Sequence, residues 1–108
     1  MTLKEFYTVL ASTGLPVAYL AFPANKCPEM PFLTYQETGS NNFGADGKVY
    51  KRVKQLQVDL FSKNKNLAAE EALENALDAA EIFWQKMQTI DDNESCQRYT
   101  YEVEVIGG

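Results

Sequence analysis

The segment NLAAEEALENALDAAEIFWQKMQ, from Asn66 to Gln88, decides the predicted fold because it is the longest stretch with a regular apolar pattern. Its apolar residues recur every three or four positions, which is typical of one face of an α-helix. No Gly or Pro interrupts it, and Ala and Leu are strong helix formers. We therefore predict one long helix with an apolar stripe of Ala69, Leu73, Ala76, Leu77, Ala80, Phe83, Trp84 and Met87.

The opposite face of this helix is charged, and we expect it to face solvent. It carries Glu70, Glu71, Glu74, Asp78, Glu81 and Lys86. The first three of these carboxylates could in principle hold a hard metal ion, but at this spacing they are more often exposed groups that complement the helix dipole. The alanines of the apolar stripe allow close approach to a flat surface, so we expect the helix to lie across a β-sheet.

The rest of the chain predicts a second, shorter helix and four strands. Thr2 and Glu5 form a capping-box pattern, and Gly14 with Pro16 beyond it ends this first helix. Runs of β-prone residues predict strands over Val17 to Phe22, Phe32 to Thr38, Val49 to Phe61 and Tyr99 to Ile106. We expect a single α+β domain, residues 1–108, with the order α-β-β-β-α-β. Its single, mainly antiparallel sheet of about four strands carries both helices on one face.

Two of the predicted strands alternate strictly between apolar and polar residues, which indicates a sheet with one buried and one wet face. The apolar positions are Leu56, Val58 and Leu60 in one strand and Tyr99, Tyr101, Val103 and Val105 in the other. The positions expected in water are Gln55, Gln57 and Asp59, followed by Thr100, Glu102 and Glu104.

The segment GSNNFGADG, from Gly39 to Gly47, is the clearest loop, because Gly, Asn and Asp favour turns and positive φ angles. It places Phe43 in a polar stretch, so this aromatic ring either folds under its own loop or contacts another surface. The basic cluster Lys48, Lys51, Arg52 and Lys54 follows. Because these cations alternate with apolar residues, they indicate a solvated or salt-bridged sheet edge rather than a phosphate contact.

The composition argues against several classes of function. A net charge of −5 argues against nonspecific nucleic-acid binding, which requires a basic surface. The chain has no histidine, and Cys27 and Cys96 lie far apart, so we expect neither a metal site nor a cofactor. A disulfide between the two cysteines stays an alternative to two reduced thiols.

No residue set has a catalytic spacing, and no Gly-rich phosphate loop is present, so we expect no enzymatic activity. The residues Asp91 to Glu94 resemble a calcium loop only in composition, and we predict a turn there. The chain begins without a basic leader, and no segment is long and apolar enough for a membrane span. We therefore expect a protein that stays in the cytosol or assembles from it.

Three stretches carry a family resemblance: TGLPVAY (Thr13 to Tyr19), SNNFGADGKVY (Ser40 to Tyr50) and the region from Gln57 to Lys86. In this order they resemble the small tail terminator, or head-tail joining, proteins of long-tailed bacteriophages and prophages of Gram-positive bacteria. The matching positions are Asn41, Asn42, Phe43, Ala45, Asp46, Val49 and Tyr50, then Val58, Asp59, Leu60 and Phe61, then Ile82, Phe83, Trp84 and Lys86. The chain departs from the family pattern between Lys63 and Asn66, where an aspartate often caps the helix, and at Cys96.

The resemblance implies a structural role in the virion tail. Such proteins close the growing tail tube as a hexameric ring, end its polymerisation and present the surface to which the head is joined. The implied partners are further copies of the chain, the tail tube protein and a head-completion or connector protein, all assembled in the cytoplasm of the host bacterium. No membrane and no specific nucleic-acid sequence is implied.

A closed ring requires two different surfaces on each subunit. For one of them we predict Asn42, Phe43 and Asp46 of the loop together with Lys48, Lys51 and Arg52. These cations could face the acidic surface of the long helix in the next subunit. The alternative from another class is a small ligand-binding or regulatory module, with a pocket between helices and sheet.

Overall fold

The computed structural model of the chain describes residues 1–22, 29–40, 43–45, 48–63, 66–89 and 97–106. Its elements are α1 (Leu3–Ala11), β1 (Val17–Tyr19), β2 (Phe32–Ser40), β3 (Phe43–Ala45), β4 (Lys48–Lys51), β5 (Val53–Ser62), α2 (Leu67–Ala79), β6 (Phe83–Thr89) and β7 (Gln97–Ile106). The predicted α+β class is confirmed, but the order of elements contains more strands than we expected.

The main sheet has five strands in the order β1-β2-β5-β7-β6, where about four were predicted. Its β2–β5, β5–β7 and β7–β6 pairs are antiparallel, and β1 pairs parallel to β2. The mainly antiparallel character of the sheet is therefore confirmed. The additional strand is β6, which comes from the second half of the predicted long helix.

The prediction of one helix from Asn66 to Gln88 was wrong in its second half, since α2 ends at Ala79. Its end has the hydrogen bonds of a Schellman motif, because the Glu81 amide donates to Asp78 O (3.0 Å) and the Ile82 amide to Leu77 O (2.9 Å). Glu81 has a φ of 57°, in the left-handed region that helix ends usually reserve for glycine. The chain then continues as β6, in which Trp84 and Lys86 share a face with Val103 and Tyr101 of β7.

The predicted strand from Val49 to Phe61 is divided at Arg52. Its first part, β4, pairs with β3, which lies in the predicted loop. The first predicted strand is shorter than expected, because Leu20 takes a φ of 67° and ends the extended backbone after Tyr19. The N-terminal capping box is confirmed, since Thr2 and Glu5 exchange backbone-to-side-chain hydrogen bonds of 3.1 Å.

The core lies between the two helices and one face of the sheet. Phe6 and Leu10 of α1 and Leu73 and Leu77 of α2 are fully buried. The sheet contributes Leu33, Tyr35, Leu56, Val58, Leu60, Tyr99, Tyr101, Val103 and Val105, so the predicted alternation is confirmed on its apolar side.

We had expected the other face of the sheet to be exposed to water, but part of it is buried. Thr34, Asp59 and Thr100 occupy one row across β2, β5 and β7 and are buried. The Asp59 carboxylate accepts hydrogen bonds from the Thr100 hydroxyl (2.7 Å) and from the Gln57 side chain (3.1 Å), which compensates the cost of its burial.

Candidate interaction surfaces

The strands β3 and β4 form a two-stranded ribbon, here called the arm, which pairs with no other described strand. The arm follows the end of the β2–β5 pair, where Ser40 lies opposite Lys54. Within the arm, Phe43 pairs with Lys51 and Ala45 pairs with Lys48. The structure thus brings three of the predicted interface residues onto one ribbon.

Of the other predicted interface residues, the structure describes only Arg52. Arg52 is exposed and joins the arm to β5. Asn42 and Asp46 lie outside the described residues, as do Cys27, Cys96 and the turn predicted from Asp91 to Glu94. That the arm contacts another subunit therefore stays a prediction.

The strand β6 is one edge of the main sheet, and two of its large apolar side chains are exposed. Phe83 is 63% exposed and Met87 is 48% exposed. We had expected both to be buried in the apolar stripe of the long helix, and this was wrong because a strand sends alternate side chains to opposite faces. Trp84, between them in the pattern, packs inward against Tyr101 with 5.7 Å between the ring centroids.

A shallow groove of about 200 Å³ lies on the uncovered face of the sheet beside β6. Its lining includes Thr38, Gln55, Phe83, Gln85, Glu102 and Glu104. Among the described residues, neither Glu102 nor Glu104 forms an ion pair. The alternation in β7 places both carboxylates on one face, but only the pairing of β6 with β7 brings Phe83 beside them.

Three of the four carboxylates of α2 are engaged within the chain. The expectation that they face solvent is wrong for Glu70 and confirmed for Glu71 and Asp78, which are exposed. Glu70 is only 2% exposed and pairs with the Lys86 ammonium. Glu74 accepts a hydrogen bond from the Tyr101 hydroxyl (2.8 Å) and lies 3.4 Å from the same ammonium. Asp78 accepts a hydrogen bond of 2.8 Å from the indole of Trp84. We call the group Glu70, Glu74, Lys86 and Tyr101 the α2–β6 polar cluster.

This polar cluster shifts the protonation of two of its members. Burial lowers the pKa of Lys86, but the hydrogen bond and charge of Glu70, with those of Glu74, outweigh it and leave the pKa above its usual value. Burial is the largest cause that raises the pKa of Tyr101, and the neighbouring carboxylates raise it further. Because both pKa values are raised, the folded state keeps the Lys86 and Tyr101 protons to a higher pH. The second oxygen of Glu70 is buried without a hydrogen-bond partner among the described residues.

A second exposed patch lies at the opposite edge of the sheet, beside β1. Tyr7, Tyr19 and Leu20 are 43%, 44% and 60% exposed. The rings of Tyr7 and Tyr19 contact Tyr35, at centroid distances of 6.4 and 5.1 Å. This edge is short, since β1 has only three residues.

Two other kinds of site are absent from the described part of the chain. No group of three or more His, Cys, Asp or Glu side chains is placed so that it could hold a metal ion. No helix in the same part of the chain combines the length and apolarity of a membrane span.

The fold defines the chain as an α+β protein with a five-stranded sheet and a separate two-stranded ribbon. The chain matches no known family profile and no curated protein in sequence. Among solved structures, it is similar to a chain in the virion of a native gene transfer agent particle, with a TM-score of 0.63 and 11% sequence identity. The match covers 97% of this chain and 89% of that one, and at this identity it shows a shared fold.

Proposed function

We propose that this chain is a structural protein of a virion tail and acts as the tail terminator. Copies of the chain form a hexameric ring that closes the tail tube, ends its polymerisation and presents the surface for the head. The carrying observation is that the fold follows, over 97% of the chain, that of a protein found in a gene transfer agent virion. This supports the family resemblance that the three sequence stretches indicate independently.

The positions of those stretches in the fold indicate that one of them stabilises the main sheet, while another is available for contacts between subunits. Trp84 and Lys86 of the last stretch join β6 to α2 through Asp78 and Glu70. Leu60 of the same stretch is fully buried. The stretch SNNFGADGKVY instead contains both strands of the arm, which belongs to no part of the main sheet. Residues that resemble the family but lie outside the main sheet are suited to contacts between subunits.

A ring of identical subunits also requires a head-to-tail interface between two different surfaces. The chain offers such surfaces, since the arm carries cations while the groove beside β6 carries Glu102 and Glu104, which form no ion pair with any described residue. The tail tube protein and a head-completion protein are the partners that this role requires on the two sides of the ring.

The function is tested by deleting the gene from its phage or prophage and imaging the lysate by electron microscopy. Overlong tails without heads, restored to normal length by the gene supplied on a plasmid, are the expected result. Tails of normal length beside unattached heads would assign the chain to head joining alone. Intact virions would contradict the proposal and favour a ligand-binding module.

The predicted interface is tested separately with the K51E/R52E variant. We expect this charge reversal to disrupt ring formation at low and moderate salt, as judged by electron microscopy of the assembled ring and by complementation of the deletion. The K4E/K63E variant is the matched control, because it makes the same change in net charge at two exposed lysines away from the arm. Normal rings from K51E/R52E would remove these residues from the interface.

A further inference from the structure

The two edges of the main sheet differ in how much they require cover. Large apolar side chains are exposed at both edges, Tyr19 in β1 and Phe83 and Met87 in β6, but β1 has three residues while β6 has seven. Natural proteins commonly protect long sheet edges with outward lysines or with a covering element. The lysine of β6 does not serve this purpose, since Lys86 turns toward Glu70 on the helix side. Of the two edges, the β6 edge is therefore the one that more strongly requires a covering element.

The chemistry next to this edge indicates what covers it. The groove beside β6 combines the apolar ring of Phe83 with the carboxylates of Glu102 and Glu104, which have no described cation to neutralise them. A segment that fits it must carry positive charge together with an apolar side chain. The arm has this composition, since it contains Phe43, Lys48 and Lys51 and is followed by the exposed Arg52.

The acidic surface of α2, which we first expected to face these cations, is less suitable. Three of its carboxylates are already engaged, namely Glu70 and Glu74 with Lys86 and Asp78 with Trp84. At these three carboxylates a cation from another subunit would have to displace the internal partners, which leaves only the exposed Glu71 open to it on the described helix. The carboxylates of the groove require no such exchange, so electrostatic complementarity favours the sheet over the helix.

We propose that the groove formed by Phe83, Gln85, Glu102 and Glu104 receives the arm of a neighbouring copy of this chain. The contact is head-to-tail, because each subunit inserts its arm into one neighbour and offers its groove to the other. This inference rests on the proposed function in that it names the two surfaces joined in the ring. It makes a distinct prediction about self-association, which is independent of the tail.

Three charge-reversal variants of the full-length chain test the contact. The arm variant is K51E/R52E, the groove variant is E102K/E104K, and the control is E29K/E71K, which changes two exposed glutamates, one of them on α2. Self-association is measured by sedimentation velocity up to about 1 mM protein in about 0.1 M salt, where charges within about 10 Å still interact. We expect the arm and groove variants each to associate at least about tenfold more weakly than the wild type, and the control within about twofold of it.

A 1:1 mixture of the arm and groove variants gives the sharpest result. The basic arm of the groove variant fits the acidic groove of the arm variant, and the acidic arm of the arm variant fits the lysine-bearing groove. Two variants that fail alone should therefore assemble together as alternating copies, which closes a ring with an even number of subunits. Native mass spectrometry should show equal numbers of the two chains. Both variants keep a net negative charge, so general attraction between the two chains does not explain such assembly.

Several outcomes would overturn the proposal. These are a wild-type chain that stays monomeric over the whole concentration range, full association of the arm or groove variant, a mixture that fails to assemble, or weakening by the E29K/E71K control equal to that of the groove variant. If lysines at the two groove positions prevent folding, as judged by circular dichroism, E102Q/E104Q replaces that variant in the direct measurement, with a smaller loss expected. Alternating assembly in a chain whose deletion leaves tails intact would keep this contact and reject the tail function. If deletion gives overlong tails but the variants associate like the wild type, the tail function is kept and this contact is rejected.

Discussion

The helix α2 and the strand β6 are separated by three residues and both carry large apolar side chains, but the burial of these side chains differs. In α2, Leu73 and Leu77 are fully buried against the sheet. In β6, Trp84 packs inward while Phe83 and Met87 remain exposed. A helix gathers its apolar residues on one side, whereas a strand distributes them between two. The difference shows where this domain buries its apolar side chains and where it leaves them exposed.

Two local features separate these regions. Glu81 takes a left-handed backbone conformation that ends the helix. The next residue, Ile82, is buried, and its amide donates a hydrogen bond to the carbonyl of Leu77, which is also buried. The α2–β6 polar cluster then joins the strand to the helix through Lys86 and Glu70.

Substitution of Leu77 by Ala should lower the free energy of unfolding by about 3 kcal/mol, because it removes a fully buried side chain and leaves a cavity in the core. Urea denaturation followed by circular dichroism gives the value. The matched substitution Leu67→Ala, at a position of α2 that is 61% exposed, should cost less than about 0.5 kcal/mol. Equal losses at the two positions would contradict the way in which α2 is packed.

Substitution of Lys86 by Met should cost about 2 kcal/mol, because it leaves the buried carboxylate of Glu70 without its cation. The same urea measurement applies. The double variant K86M/E70L should recover part of the loss, since it removes the buried charge as well. If the double variant is less stable than K86M alone, the burial of Glu70 does not depend on this pair.

The polar cluster also predicts a loss of stability at high pH. The folded state raises the pKa of Lys86 and of Tyr101 above their ordinary values of 10.5 and 10.0, so their stabilising contribution is complete below these values. It is lost as the pH rises through the higher folded values. Thermal unfolding between about pH 8 and pH 11 should show a decline that begins near pH 10. The K86M/Y101F variant should decline less steeply, and an unchanged slope would exclude these groups as its cause.

Substitution of Glu81 by Gly should stabilise the chain by about 1 kcal/mol, because glycine adopts a positive φ without the steric cost that other residues incur. The control Glu81→Ala removes the same charge but keeps the Cβ, and it should not stabilise. A gain of equal size in both variants would show that charge, and not backbone conformation, limits stability at the end of α2.

The smallest effect on stability is expected for Phe83→Ala, which should cost less than about 0.5 kcal/mol because the side chain is 63% exposed. The Trp84→Ala variant is the natural contrast, since its ring packs on Tyr101 and donates to Asp78. A loss at Phe83 as large as that at Leu77 would mean that the long helix forms after all. If Phe83 covers the neighbour's arm, the same variant should weaken self-association without lowering stability.

Much of the fold could be predicted from the sequence because its signals are local. The capping box of Thr2 and Glu5, the glycine end at Gly14 and the alternation of Leu56 to Leu60 each depend on neighbouring residues. The sequence also placed Lys48, Lys51 and Phe43 together in one region, which is the arm of the structure. Their contact with another subunit is a prediction that the single chain does not test.

The end of α2 and the groove could not be predicted in this way. The helix ends at a glutamate instead of a glycine, so the usual signal for a helix end is missing at Glu81. The residues Phe83, Trp84 and Met87 fit a helical stripe as well as a strand, and short apolar runs are ambiguous between the two. The groove depends on the pairing of Phe83 with Glu104, residues that are distant in sequence.

By itself the sequence determined the α+β class, the capped first helix, the buried face of the sheet and the basic region of the arm, because local pattern and composition specify these features. Only the tertiary structure decided that residues 83–89 form a strand, that Glu70 is buried against Lys86, and that Glu102 and Glu104 lie beside an exposed Phe83. Packing of Trp84 on Tyr101 and pairing of Lys86 with Glu70 favour the strand over the helix, and both require β7 or α2 to be in place. Such contacts join distant parts of the chain, so their free energy overrides local propensity where that propensity is ambiguous.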